Sequence, residues 1–208
     1  MTRTEFFSHL EPHLSRRQLL RIQLAYTLSK YWHRSQVRKE RDDQGNPVRY
    51  FEHVRRVALI LIREARCLEP EMIVAALLHD AIEDTRDEDL SPDMIEENFG
   101  EDAVVIVKTL SKVPKAGYLE RFLLSHDWRP YLIKACDRLD NLRSMQDASP
   151  EFVARQVTET VDHYYPLLDR MLVLVPPEYR DGAMHLRDQI KERCVALLSQ
   201  QNGPPVRP

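Results

Sequence analysis

Glycine is scarce in this 208-residue chain: five in all, against roughly 7% in ordinary proteins. Gly45, Gly100, Gly117, Gly182 and Gly203 lie too far apart to build a phosphate-cradling loop, which excludes the P-loop and dinucleotide fingerprints. Cysteine is scarce as well. Cys67, Cys136 and Cys194 are odd in number and widely spaced, so they make neither a disulfide framework nor a metal knuckle and read as thiols in a reducing compartment. No run approaches the ~18 apolar residues of a membrane span, and the N-terminal MTRTEFFSHLEPHLSRRQ lacks the apolar stretch of a signal peptide. Charge of one sign is missing too: 30 basic against 33 acidic residues leave −3, with no global basic character to advertise nucleic acid or membrane. A cytoplasmic protein with no DNA, RNA or membrane partner is expected.

What the chain does have is apolar residues recurring at three and four, with few alternating β-branched segments. That pattern predicts an all-α fold in a single domain over 1–198, followed by a disordered tail at 199–208. Helices are expected at 16–35, 51–66, from Pro70 through MIVAALLHD, after an Ser91 N-cap with Pro92 in the first turn, at about 101–110, in YLERFLLSHD and in WRPYLIKACDRLDNLRSM. Pro166 should restart or kink the helix over 150–173. VRKERDDQGNPVRY reads as a polar loop. The last amphipathic helix, 183–198, could pack on its own core or form a homodimer.

One stretch breaks the pattern. In LLHDAIEDT, residues 77–85, an apolar helix turns abruptly into a histidine and three carboxylates. Buried charge is costly unless it is paired or binds a metal. His79 and Asp80 point about 100° apart on a helix, close enough to reach one ion beside it. Two more interruptions of apolar helices, His53 in FEHVRRVA and Asp137 in LIKACDRLDNL, could complete the set. Two imidazoles and two carboxylates suit manganese, iron, cobalt or zinc better than magnesium. Such an ion would lower the pKa of a bound water and hold a phosphoryl oxygen. The alternative for any single one of these residues is a helix cap or a surface group.

HDAIEDT, preceded by HVRRVA and followed by KACDRLDNLRS, resembles the HD-domain hydrolases, in which a helical bundle surrounds one metal site. Within them the chain is most similar to the hydrolase domain of the RelA/SpoT family and its small stand-alone relatives, the alarmone hydrolases. The ordered motifs HRSQVRKERDDQGNPVRYFEH (33–53), HDAIEDT (79–85), FGEDAVVIVKTLSK (99–112), KACDRLDNLRS (134–144) and ETVDHYYPLLDRM (159–171) carry the resemblance over about 25–171. It implies manganese-dependent removal of pyrophosphate from the 3′ position of guanosine tetra- or pentaphosphate. It makes His53, His79, Asp80 and Asp137 the metal ligands and Glu83 and Asp84 the catalytic acids. Arg38, Lys39, Asn141, Arg143 and Ser144 then contact the nucleotide. Residues 31–56 hold seven basic side chains against four acids, and 78–102 hold eleven acids against one base, a local asymmetry that suits an anionic substrate beside a metal.

Two departures stand out. Asp140 occupies the place where long family members usually carry histidine, which bears on base or sugar contacts beside Asn141. ERDDQ lengthens the loop after Lys39. Both keep an adenosine alarmone, or another nucleotide, in view as substrate. A binding module that has lost catalysis is the rival of a different class.

Overall fold

Helix starts are written into the chain as capping residues. In the computed structural model, which describes residues 2–84, 90–146 and 148–201 (of Asp84 and Gln201 the backbone alone), Thr2 and Ser15 each close a capping box with a glutamate or glutamine three residues on. They open α1 (Arg3–Ser8) and α2 (Arg16–Trp32). Ser91 accepts the Met94 amide at 3.1 Å with Pro92 in the first turn, as its sequence implies, and opens α6 (Pro92–Phe99). The acidic tract Asp87, Glu88 and Asp89 lies outside the described residues, as does 202–208 of the expected tail.

Three helices form the centre: α3 (Tyr50–Arg63), α4 (Pro70–Leu78) and α9 (Trp128–Arg143). α4 is apolar all round, and every residue from Met72 to Leu78 is buried. It packs against α2, α3 and α7 (Glu101–Leu110), with a short α5 (Ala81–Asp84) beyond its end. α8 (Tyr118–Leu124) leads into α9, whose other faces meet α3, α11 (Tyr165–Leu174) and the long α12 (Arg180–Gln201). α12 approaches the turn after α3 so closely that a Cβ on Gly182 would lie 2.2 Å from the Ala65 carbonyl oxygen. α10 (Pro150–Glu159) joins α11 through a π-helical turn, Thr160–Tyr164, which ends two residues before the Pro166 that was expected to disturb the helix.

One expectation is corrected. The polar segment after α2 is a two-stranded antiparallel hairpin, β1 (Val37–Arg41) and β2 (Pro47–Arg49). Its turn closes because the Asp42 carboxylate accepts the amides of Gln44 and Asn46 while Gly45 takes φ +81°, a left-handed value open to glycine. Neither face of the hairpin enters the apolar core, so no alternation of apolar residues betrays it. Among the described residues no helix is long and apolar enough to cross a membrane.

Candidate metal centre and adjoining cavities

His53 lies in the first turns of α3, His79 and Asp80 follow the last residue of α4, and Asp137 lies midway along α9. These are the three central helices, so their packing brings the four residues together. All four side chains are buried. His53, His79 and Asp80 each offer a ligand atom, all within 4.8 Å of one another. Asp137 Oδ1 lies 3.3 Å from His53 Nε2 and 3.9 Å from His79 Nε2.

Hydrogen bonding fixes which nitrogen of each imidazole faces inward. His79 Nδ1 is 2.8 Å from the Ala76 carbonyl, which can only accept, so Nδ1 carries the proton. Its Nε2 is buried without a hydrogen-bond partner, although Asp80 Oδ2 lies 2.9 Å away. His53 Nδ1 donates to Asp140 Oδ2 at 2.7 Å, turning its Nε2 toward Asp80 and Asp137. Metal-binding histidines characteristically donate their outer N–H in this way. An orphaned inward nitrogen beside carboxylate oxygens fits a divalent transition ion.

The carboxylates are oriented in turn. Tyr50 donates its hydroxyl to Asp80 Oδ2 at 2.7 Å. Asn141 Nδ2 donates to Asp137 Oδ1 at 2.6 Å, and buried Lys134 donates to Asp137 Oδ2 at 2.8 Å. Burial would raise the Asp137 pKa, but the Lys134 ammonium and the His53 hydrogen bond hold it well below the usual range. Asp80 is held well below it by His79 and His53, again against burial. Burial alone would discharge His53. Its hydrogen bonds to Asp137, Asp140 and Asp80 outweigh that and lift it to about 10. His79 is also raised, chiefly by the Asp80 charge working against burial.

Glu83 sits on α5 with Oε2 accepting the Lys112 amide at 3.1 Å and Oε1 3.7 Å from the Lys112 ammonium. Burial raises its pKa; Lys112 opposes this and the Asp80 charge adds to it. The side chain of Asp84 lies outside the described residues.

A cavity of about 800 Å³ adjoins the centre, lined by Arg38, Lys39, Tyr50, Asn141, Ser144 and Phe152 among others. Tyr50 and Asn141 join it to the His/Asp cluster, because each lines the cavity and binds a carboxylate there. Arg38 bridges Asn141 Oδ1 at 2.7 Å and Ser144 Oγ at 3.2 Å, and Lys39 stands 5.0 Å from the Phe152 ring. Arg143 is placed elsewhere. It grips Glu64 at 2.6 and 2.9 Å and lines a second cavity of about 710 Å³, as does Asp140. Tyr50 and Lys134 join the site without having been expected there. Tyr50, three residues before His53, shares that ligand's helix face, and Lys134, three before Asp137, shares the face of its own partner, so spacing carries a signal for both.

A profile of the HD domain matches residues 25–172. The chain belongs to the HD-domain family. It is 35% identical over 159 residues to the guanosine-3′,5′-bis(diphosphate) 3′-pyrophosphohydrolase of Aquifex aeolicus, covering 72% of this chain and 21% of that protein. It is 28% identical over 195 residues to the bifunctional (p)ppGpp synthase/hydrolase SpoT of Escherichia coli, covering 88% and 25%. The HD-domain chain thus spans about a fifth to a quarter of the length of these relatives. The solved structure of a metazoan ortholog of SpoT that hydrolyzes ppGpp superposes with a TM-score of 0.65 at 27% identity, covering 92% of this chain and 98% of that one. This HD-domain protein is therefore related to the RelA/SpoT (ppGpp) proteins.

Proposed function

We propose that the protein removes pyrophosphate from the 3′ position of guanosine tetra- or pentaphosphate, leaving GDP or GTP, with manganese held by His53, His79, Asp80 and Asp137. The observation that carries this reading is the junction of a buried His/His/Asp cluster with a cavity whose wall presents Arg38 and Lys39. The activities named for the similar proteins above support it.

When bound, the ion supplies Lewis acidity to a phosphoryl oxygen and to an attacking water. The chain's own residues do the rest. Arg38 and Lys39 attract the polyanion, the guanidinium also offering a flat face for a purine. Asn141, fixed between Asp137 and Arg38, keeps the reacting phosphate beside the cluster. Glu83, whose raised pKa favours proton exchange nearer neutrality, takes the proton of the attacking water, with Asp84 beside it in sequence.

The test incubates purified protein with manganese and guanosine tetraphosphate, its adenosine counterpart, or GTP, and resolves the products. Guanosine tetraphosphate should give GDP and intact pyrophosphate faster than the adenosine compound gives ADP. Glu83→Gln should lose at least about a hundredfold in turnover while retaining metal. Stepwise release of single phosphates, or turnover of neither alarmone, would overturn the assignment.

A further inference from the structure

Two facing turns of α3 and α9 make a ladder. His53 and Arg56 are three apart on α3, and Asp137 and Asp140 are three apart on α9, so each pair shares one helix face. His53 spans both aspartates: its Nε2 faces Asp137 and its Nδ1 donates to Asp140. Asp140 is then shared. Its Oδ1 accepts Arg56 Nε at 2.7 Å, and its Oδ2 accepts Arg56 Nη2 at 3.2 Å as well as the imidazole. Arg56 Nη2 continues outward to Glu40 Oε1 at 2.6 Å. Glu40 is on β1, next to Lys39 and two residues from Arg38.

An unbroken run of charged hydrogen bonds therefore leads from the hairpin that carries the cationic wall to the outer nitrogen of a metal-site imidazole. We propose that Asp140 is a positioning residue that holds His53 in its Nδ1–H form and, through Arg56 and Glu40, couples the seating of the hairpin to the seating of the ion. This rests on the divalent-metal reading of the cluster and on no particular nucleotide.

The two ends differ in a way that suits coupling. Asp140 and His53 are buried, so Asp140's charge must be satisfied, and removing either donor leaves it resting on the other alone. The Arg56 side chain is 36% exposed beside the 710 Å³ cavity, so its grip on Glu40 is partly solvated and easily adjusted. A shift of the hairpin that draws Arg56 away leaves the His53 Nδ1–H as the remaining donor to Asp140 and so changes how the imidazole is held. Asp140 does not line the cavity that holds Arg38 and Asn141, so its effect runs through His53 and not through contact with a base.

The experiment uses metal titration of the full chain, with zinc and manganese as probes, on the wild type, Asp140→Asn, Glu40→Gln and the double variant, each checked for native circular dichroism. Asp140→Asn should weaken metal binding by roughly ten- to a hundredfold. Glu40→Gln should weaken it by roughly three- to tenfold alone and by less than about twofold in the Asp140→Asn background. In the zinc-loaded protein, long-range nitrogen–proton spectra should show His53 protonated on Nδ1, with that signal displaced in Asp140→Asn. Equal effects of Glu40→Gln in both backgrounds, no effect of it in either, or an unmoved His53 signal would overturn the proposal. Substrate plays no part in these measurements, so their failure is distinct from failure of the proposed hydrolysis.

Discussion

Tyr50 opens α3, yet its hydroxyl reaches across to Asp80 Oδ2, thirty residues later, at 2.7 Å. A hydrogen bond to a charged acceptor contributes about 1.5–3 kcal/mol and here also orients the carboxylate. Tyr50→Phe should therefore keep the fold and lose about tenfold in metal affinity, as substitutions behind metal ligands usually do. Metal titration checks this. Unchanged affinity would mean that the packing of α3 against α4 orients Asp80 unaided.

Metal binding should release protons. His53 is raised to about 10 by its carboxylate neighbours, and its Nε2 proton occupies the side that an ion would take. A raised histidine contributes stability in full below its unfolded value near 6.5, and the contribution is lost as pH climbs through about 10. The metal-free protein should accordingly weaken across that window. Affinity for zinc should rise with pH over the same range, because each bound ion displaces at least one proton. Calorimetric titration in two buffers of different ionisation enthalpy measures this directly. An observed enthalpy independent of buffer would contradict it.

Gly182→Ala tests the packing of α12. The added Cβ would meet the Ala65 carbonyl oxygen at 2.2 Å and its Cα at 2.8 Å, and backbone cannot swing aside as a side chain can. Overpacking of this kind costs about 1–3 kcal/mol, or a melting point lower by roughly 2–12 °C in a chain this long. A thermal melt unchanged within a degree would show that α12 can slide without penalty.

His53, His79, Asp80 and Asp137 were legible because each sets charge into an otherwise apolar helix, and the central position of those helices follows from the same apolar content. The hairpin was not, since both of its faces are polar and only Gly45 and the Asp42 side chain mark its turn. Arg143 parts from Asn141 for a reason the helix period contains. On α9, Asn141 and Ser144 fall three apart on one face, whereas Asn141 and Arg143 stand about 200° apart. The structure accordingly puts Asn141 and Ser144 on Arg38, and Arg143 on Glu64. Asp140 was singled out for contacts beside Asn141; helix period turns it instead toward His53 and Arg56. Which donors meet at such a carboxylate depends on two helices crossing, and one helix's sequence does not contain that.

The interruption between Leu78 and Ala81 divides labour along the chain. His79 and Asp80 take their immobility from α4, the most deeply enclosed helix, whose every neighbour would have to yield before either could drift. Glu83 stands past the interruption on a single helical turn, anchored to the Lys112 amide and ammonium. Under the proposed reaction, the groups that must stay still and the group that must pass a proton are mounted on separate pieces of backbone.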